Sequence, residues 1–97
     1  MLRLLKITGD SLTPEFQPGD FVLVSKIPFL FTAPSPGDTV AFHQPGYGLL
    51  IKIIQQITPD NNLTVIGTHA ESIDSRVFGP VKRENILGKV IWHIRKA

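Results

Sequence analysis

Gly48-Leu-Leu-Ile-Lys-Ile-Ile-Gln-Gln-Ile-Thr58, then Pro59-Asp-Asn-Asn62, then Leu63-Thr-Val-Ile-Gly67, is the stretch that decides the fold. Isoleucine, valine and threonine dominate both arms, and β-branched side chains favour strands. The four residues between the arms are turn formers, so the segment reads as a β-hairpin. Working outward, Phe21-Val-Leu-Val-Ser25 is a short strand introduced by Pro18-Gly-Asp20. Asp38–His43 is another, introduced by Pro36-Gly-Asp38. Arg3–Thr8 and Ile86–Ile94 complete a set of six. Ile27–Pro36 reads as an apolar loop, and a helical turn is expected only at Val81–Asn85. Six strands in so short a chain predict an all-β fold, a small coiled antiparallel sheet or barrel.

The chain has 97 residues, enough for one domain spanning 1–97. It is 42% hydrophobic and 19% charged, which argues against disorder. Cysteine is absent, which excludes disulfides, thiolate metal sites and a thiol nucleophile. A net charge of +2 gives no nucleic-acid footprint. No run approaches the ~18 apolar residues of a membrane-spanning helix, and Met1–Lys6 lacks the apolar core of a signal peptide. A cytoplasmic location is therefore expected, or a membrane-peripheral one if an N-terminal anchor is missing.

Three segments can carry chemistry. Gly9-Asp-Ser-Leu-Thr-Pro14 places Ser11 on a glycine-containing turn, where backbone N–H groups can stabilise an oxyanion. The plainer alternative is that Asp10 and Ser11 cap the turn. Lys52 lies between apolar neighbours on both faces of its strand. Burial there would lower its pKa and suit it as a general base. The alternative is an edge-strand lysine whose ammonium reaches water. Ser72, Asp74, Ser75 and Arg76 crowd into five positions before Phe78-Gly-Pro80, where an Asp–Arg pair can brace a loop.

Together these motifs resemble the signal peptidase I family of Ser/Lys proteases across residues 7–90. The family pattern runs Gly-x-Ser-Met-x-Pro, Gly-Asp with an apolar strand, an embedded Lys, and Ser-x-Asp-Ser-Arg. The resemblance implies the catalytic-core fold of that family and roles for individual residues. Ser11 is implied as the nucleophile, Lys52 as the neutral-amine base and Ser72 as the serine that orients it. Asp74 and Arg76 are implied to brace the loop, and the backbone N–H of Ser11 to donate to the oxyanion. The sequence departs from the pattern at Leu12, at Ile53, and at Gly67-Thr68-His69, which replaces Gly-Asp-Asn one residue nearer Ser72.

Among small anchorless relatives, the chain is most similar to the nickel-type superoxide dismutase maturation proteases. This implies a precursor polypeptide as substrate, and no cofactor, metal or nucleic acid. His43, His69 and His93 show no metal-ligand spacing. A second group shares the fold and the Ser/Lys pair: self-cleaving repressors related to the SOS-response repressor. Its members carry an upstream DNA-binding domain and cut at Ala-Gly or Cys-Gly, dipeptides absent here, and they lack the Ser-x-Asp-Ser-Arg box. A non-catalytic binding module on the same scaffold is the alternative from outside the enzymes. Ile27-Pro-Phe-Leu-Phe31 is expected either to touch a lipid surface or substrate peptide, or to turn two aromatics inward.

Overall fold

The computed structural model describes residues 2–7, 17–67 and 73–95. Its strands are β1 (Leu2–Lys6), β2 (Phe21–Ser25), β3 (Thr39–Gln44), β4 (Gly48–Ile57), β5 (Leu63–Ile66) and β6 (Ile86–Ile94). They form one antiparallel sheet in the order β1-β2-β6-β3-β4-β5. The fold is all-β, with β1 and β5 as the outermost strands. Register shifts at Leu23/Val24, Ala41/Phe42 and Ile54/Gln56 each admit an extra residue. Such bulges increase the local twist and coil a sheet.

Two turns of identical design feed β2 and β3. In Gln17-Pro-Gly-Asp20 and Ser35-Pro-Gly-Asp38, the fourth N–H donates to the first carbonyl, at 3.0 and 3.1 Å. Proline supplies the fixed second position, and Gly19 and Gly37 take φ of 93° and 95°, as a type II turn requires. Each Asp carboxylate accepts the first residue's N–H at 3.0 Å. The β4–β5 hairpin closes differently. Asn61 adopts φ 67°, and the Thr58 hydroxyl accepts from Asn62 N–H.

Side chains of paired strands divide into two faces. On the Lys52 face, Val40, Phe42, Ile54, Leu63, Val65, Val81 and Ile86 form one buried cluster. On the opposite face, Ile7, Val22, Val24 and Ala41 form another, supported by Leu5, Ile51, Ile53, Leu87 and Val90. Among the described residues three short helical pieces occur: α1 (Pro28–Phe31), α2 (Ser75–Phe78) and a 3-10 turn at Arg83–Asn85. The last falls within the expected Val81–Asn85. The other two correct the expectation that helix is confined there. Proline at the first position of α1 presets its helical φ. The Asp74 carboxylate caps α2 by accepting from Arg76 N–H.

The apolar loop is corrected too. Phe29 packs against the Lys52-face cluster, whereas Phe31 is 83% exposed. One helical turn advances about 100° per residue, so residues two apart point in nearly opposite directions. Two aromatics cannot both turn inward from it.

Candidate active site

β4 lies between β3 and β5, so Lys52 is not an edge lysine. Its residue surface is only 3% exposed. Val40 is its partner on β3, and Leu50 and Ile54 lie two residues away on the same face. Desolvation among these groups lowers the Lys52 pKa below the ordinary lysine value. The Asp74 carboxylate opposes that shift and the Arg76 guanidinium adds to it.

The Asp74 segment sits beside Lys52 because it is fastened to the outer edge of β5. Ile53 pairs with Ile66; continuing that register by one residue sets Gly67 opposite Lys52. Gly67 N–H donates to Asp74 Oδ2 at 2.9 Å. Val65 N–H donates to Ser75 Oγ at 2.9 Å, and Leu63 exchanges two backbone hydrogen bonds with Val81. Every second N–H along this edge thus has a partner, which closes β5 to further pairing. No role is expected of Ser75 from the sequence; its place in the crowded motif is the one available signal.

Asp74 is fully buried and saturated. Oδ1 accepts from Arg76 N–H and Nε at 3.0 Å each, and Oδ2 from Arg76 Nη2 at 2.8 Å besides Gly67. Burial alone would raise its pKa. The Arg76 guanidinium, helped by the two backbone N–H groups, outweighs burial and lowers it to about 2. Arg76 is raised in turn by the same hydrogen bond. The Gly67–Asp74 hydrogen bond ties together the two ends of the segment that carries Ser72, and the ion pair fixes the carboxylate that makes it. Ser72 itself, and Ser11 with its backbone N–H, lie outside the described residues.

The segment bearing Ser11 is anchored on both sides. Ile7 N–H donates to the Asp20 carbonyl at 2.7 Å and Gly19 N–H to the Ile7 carbonyl at 2.9 Å. Gln17 N–H holds the Asp20 carboxylate from the other side. His93 Nε2 lies 2.7 Å from Asp20 Oδ2, joining the anchor to β6. No site role is expected of His93 from the sequence, and nothing in the chain signals a contact across 73 positions.

With this geometry in place, the family comparison is informative. The description "Peptidase S24-like" matches residues 1–91, nearly the whole chain. The chain belongs to the peptidase S24-like family. Serine peptidase activity is the general expectation for this family, a related branch of the Ser/Lys protease superfamily. It is the repressor-related branch, which the sequence motifs place behind the signal peptidases. The likeness of Ser72–Arg76 to signal peptidase remains a resemblance of motifs. No curated protein matches the S24-like chain. Among the described residues, no helix is long and apolar enough to cross a membrane.

Proposed function

We propose that this S24-like chain is a serine endopeptidase with a Ser11/Lys52 dyad that cuts a precursor polypeptide near its N-terminus. The observation that carries the reading is the burial of Lys52 with a lowered pKa, since only a neutral amine can accept a hydroxyl proton. In the proposed reaction Lys52 Nζ takes the Ser11 Oγ proton as Oγ attacks the scissile carbonyl. The Ser11 backbone N–H donates to the resulting oxyanion. The Lys52 ammonium then protonates the leaving amine, and a water activated by the same amine hydrolyses the acyl-enzyme. Ser72 orients Lys52, and Asp74 with Arg76 holds the segment that carries Ser72.

A nickel-type superoxide dismutase precursor is the candidate substrate, by motif resemblance alone. The family match favours a second reading, cleavage of the chain's own polypeptide. One experiment addresses both. Wild type, Ser11→Ala and Lys52→Ala are incubated alone and with the precursor, and new N-termini are identified by mass spectrometry. Cleavage of the precursor by wild type only is expected. New termini from wild type alone, without precursor, would establish self-cleavage. Cleavage surviving both substitutions would overturn the dyad, and none by any form would favour a binding module.

A further inference from the structure

Asp20 holds both ends of the segment that bears Ser11. Its carbonyl accepts from Ile7 N–H at 2.7 Å, and its carboxylate accepts from Gln17 N–H at 3.0 Å. Its own N–H donates to the Gln17 carbonyl at 3.0 Å. Ile7 and Gln17 are therefore fixed to one residue, and the chain between them carries the proposed nucleophile. What fixes Asp20 in turn lies far away in sequence. His93 is the partner of Val22 across β2 and β6, which sets it on the sheet face opposite Lys52. Its Nε2–H donates to Asp20 Oδ2 at 2.7 Å, since a carboxylate only accepts. Oδ2 is also the oxygen that holds Gln17, so one bond to His93 locks the other.

The twin turn shows that a Pro-Gly-Asp turn closes without such a contact. Ser35-Pro-Gly-Asp38 makes the same two local hydrogen bonds with the same glycine conformation. Its Asp38 also reaches β6, but there it meets the half-exposed Lys89 ammonium at 3.3 Å. A lysine is a point charge on a flexible stem and follows its partner. An imidazole has two side-chain torsions and holds a buried carboxylate in one place. The rigid partner is found at the turn that ends the Ser11 segment, and the flexible one at the turn that carries no candidate chemistry. Placement matters for a nucleophile, because a shift of ~1 Å at the reacting atom costs about a hundredfold in rate.

We propose that His93 is a positioning residue for the reaction, holding Asp20 so that the two ends of the Ser11 segment stay in register with Lys52. This rests on the Ser11/Lys52 reading. His93 acts through Asp20 and Gln17 from the far side of the sheet and takes no part in proton transfer. Without its hydrogen bond the Asp20 carboxylate turns about its own torsions, and the Gln17 anchor turns with it.

The probe is a fluorophosphonate, which needs no known substrate. Ser11 Oγ bonds to phosphorus and fluoride leaves, while Lys52 takes the hydroxyl proton. Adduct formation at Ser11 is followed by peptide mass spectrometry, beside amide exchange at Ile7 and Gln17 by NMR and urea melts. His93→Leu removes the donor, and His93→Phe serves should that variant fail to fold. His93→Gln returns an amide N–H close to the Nε2 position. Expected for His93→Leu are labelling slowed about tenfold to a hundredfold and faster exchange at both amides. His93→Gln should recover most of the rate, and Lys89→Ala, at the twin turn, should label as fast as wild type. A wild-type rate in His93→Leu overturns the proposal. So does equal slowing in His93→Leu, His93→Gln and Lys89→Ala, which would tie the loss to stability alone. Failure of the dyad reads differently: wild-type Ser11 takes no adduct, or takes it as fast in Lys52→Ala. That result overturns the positioning role together with the dyad, even where exchange at Ile7 and Gln17 still rises in His93→Leu.

Discussion

The two halves of the Lys52 face have the same backbone pattern and opposite fates. Over β3–β5, Phe42 and Ile54 are fully buried beneath α1 and α2, and Lys52 is buried with them. Over β1, β2 and β6, Leu4 and Trp92 occupy equivalent positions and stay mostly exposed. Strand alternation chooses which side chains share a face. Whether a face is dry depends on where the connections run, and here α2 packs on β5 while α1 packs by the Ile86 end of β6. The dry half can depress a lysine pKa; a lysine on the bare half keeps its hydration.

Lys52→Met should break the comparison most sharply. Activity on any cleaved substrate should fall by about 10³-fold or more, as loss of a general base predicts. Stability at neutral pH should rise, because methionine fills similar volume with no charge to desolvate. The sign follows from the lowered pKa. The folded state binds the Lys52 proton less readily than the unfolded chain does, so wild type loses stability as pH falls from 10.5 through the folded value. Activity should rise with pH along that same ionisation. Urea melts of both proteins across pH test the first statement, and initial rates test the second.

Phe42→Ala probes the dry half without touching chemistry. Phe42 is fully buried and meets Phe78 edge-on at 6.2 Å. Its truncation should cost about 3–4 kcal/mol by denaturant melt. A smaller effect is expected at the seal over β5. Asp74→Ala orphans Gly67 N–H and releases Arg76, at about 2 kcal/mol. Exposure of the guanidinium keeps the figure below that of a fully buried pair. The Asp74 contribution is complete above the ordinary carboxyl value of 3.8 and is lost as pH falls through about 2. Wild type should therefore lose urea resistance between pH 4 and 2 in a way that Asp74→Ala does not.

Much of this was legible from residues, for identifiable reasons. All six strands, β2 and β6 to the residue, follow from local apolar patterning and from turn formers whose conformations are set locally. The twin Pro-Gly-Asp turns needed no tertiary context. Lys52 was legible because apolar neighbours on both faces leave its side chain no route to water. Ser75 and His93 were not, because their partners lie ten and 73 positions away. Nor was α2, a single turn fixed by its Asp74 cap and by Phe78 packing on Phe42. The bare half was hidden for another reason. β1, β2 and β6 are apolar on both faces, so composition could not say which would be covered.

Trp92→Ser carries the smallest predicted effect and tests that last point. A large aromatic removed from a core costs as much as Phe42 should. Trp92 sits on the same sheet face as Phe42, opposite Leu23, yet remains mostly hydrated in the folded chain. Folding withdraws little of its surface from water, so the substitution should change stability by under about 0.5 kcal/mol. A loss approaching that of Phe42→Ala would mean that the half over β1, β2 and β6 is dry in solution, covered by a second copy. A negligible loss, beside the large one at Phe42, would show that the apolar character of this half serves a contact outside the fold.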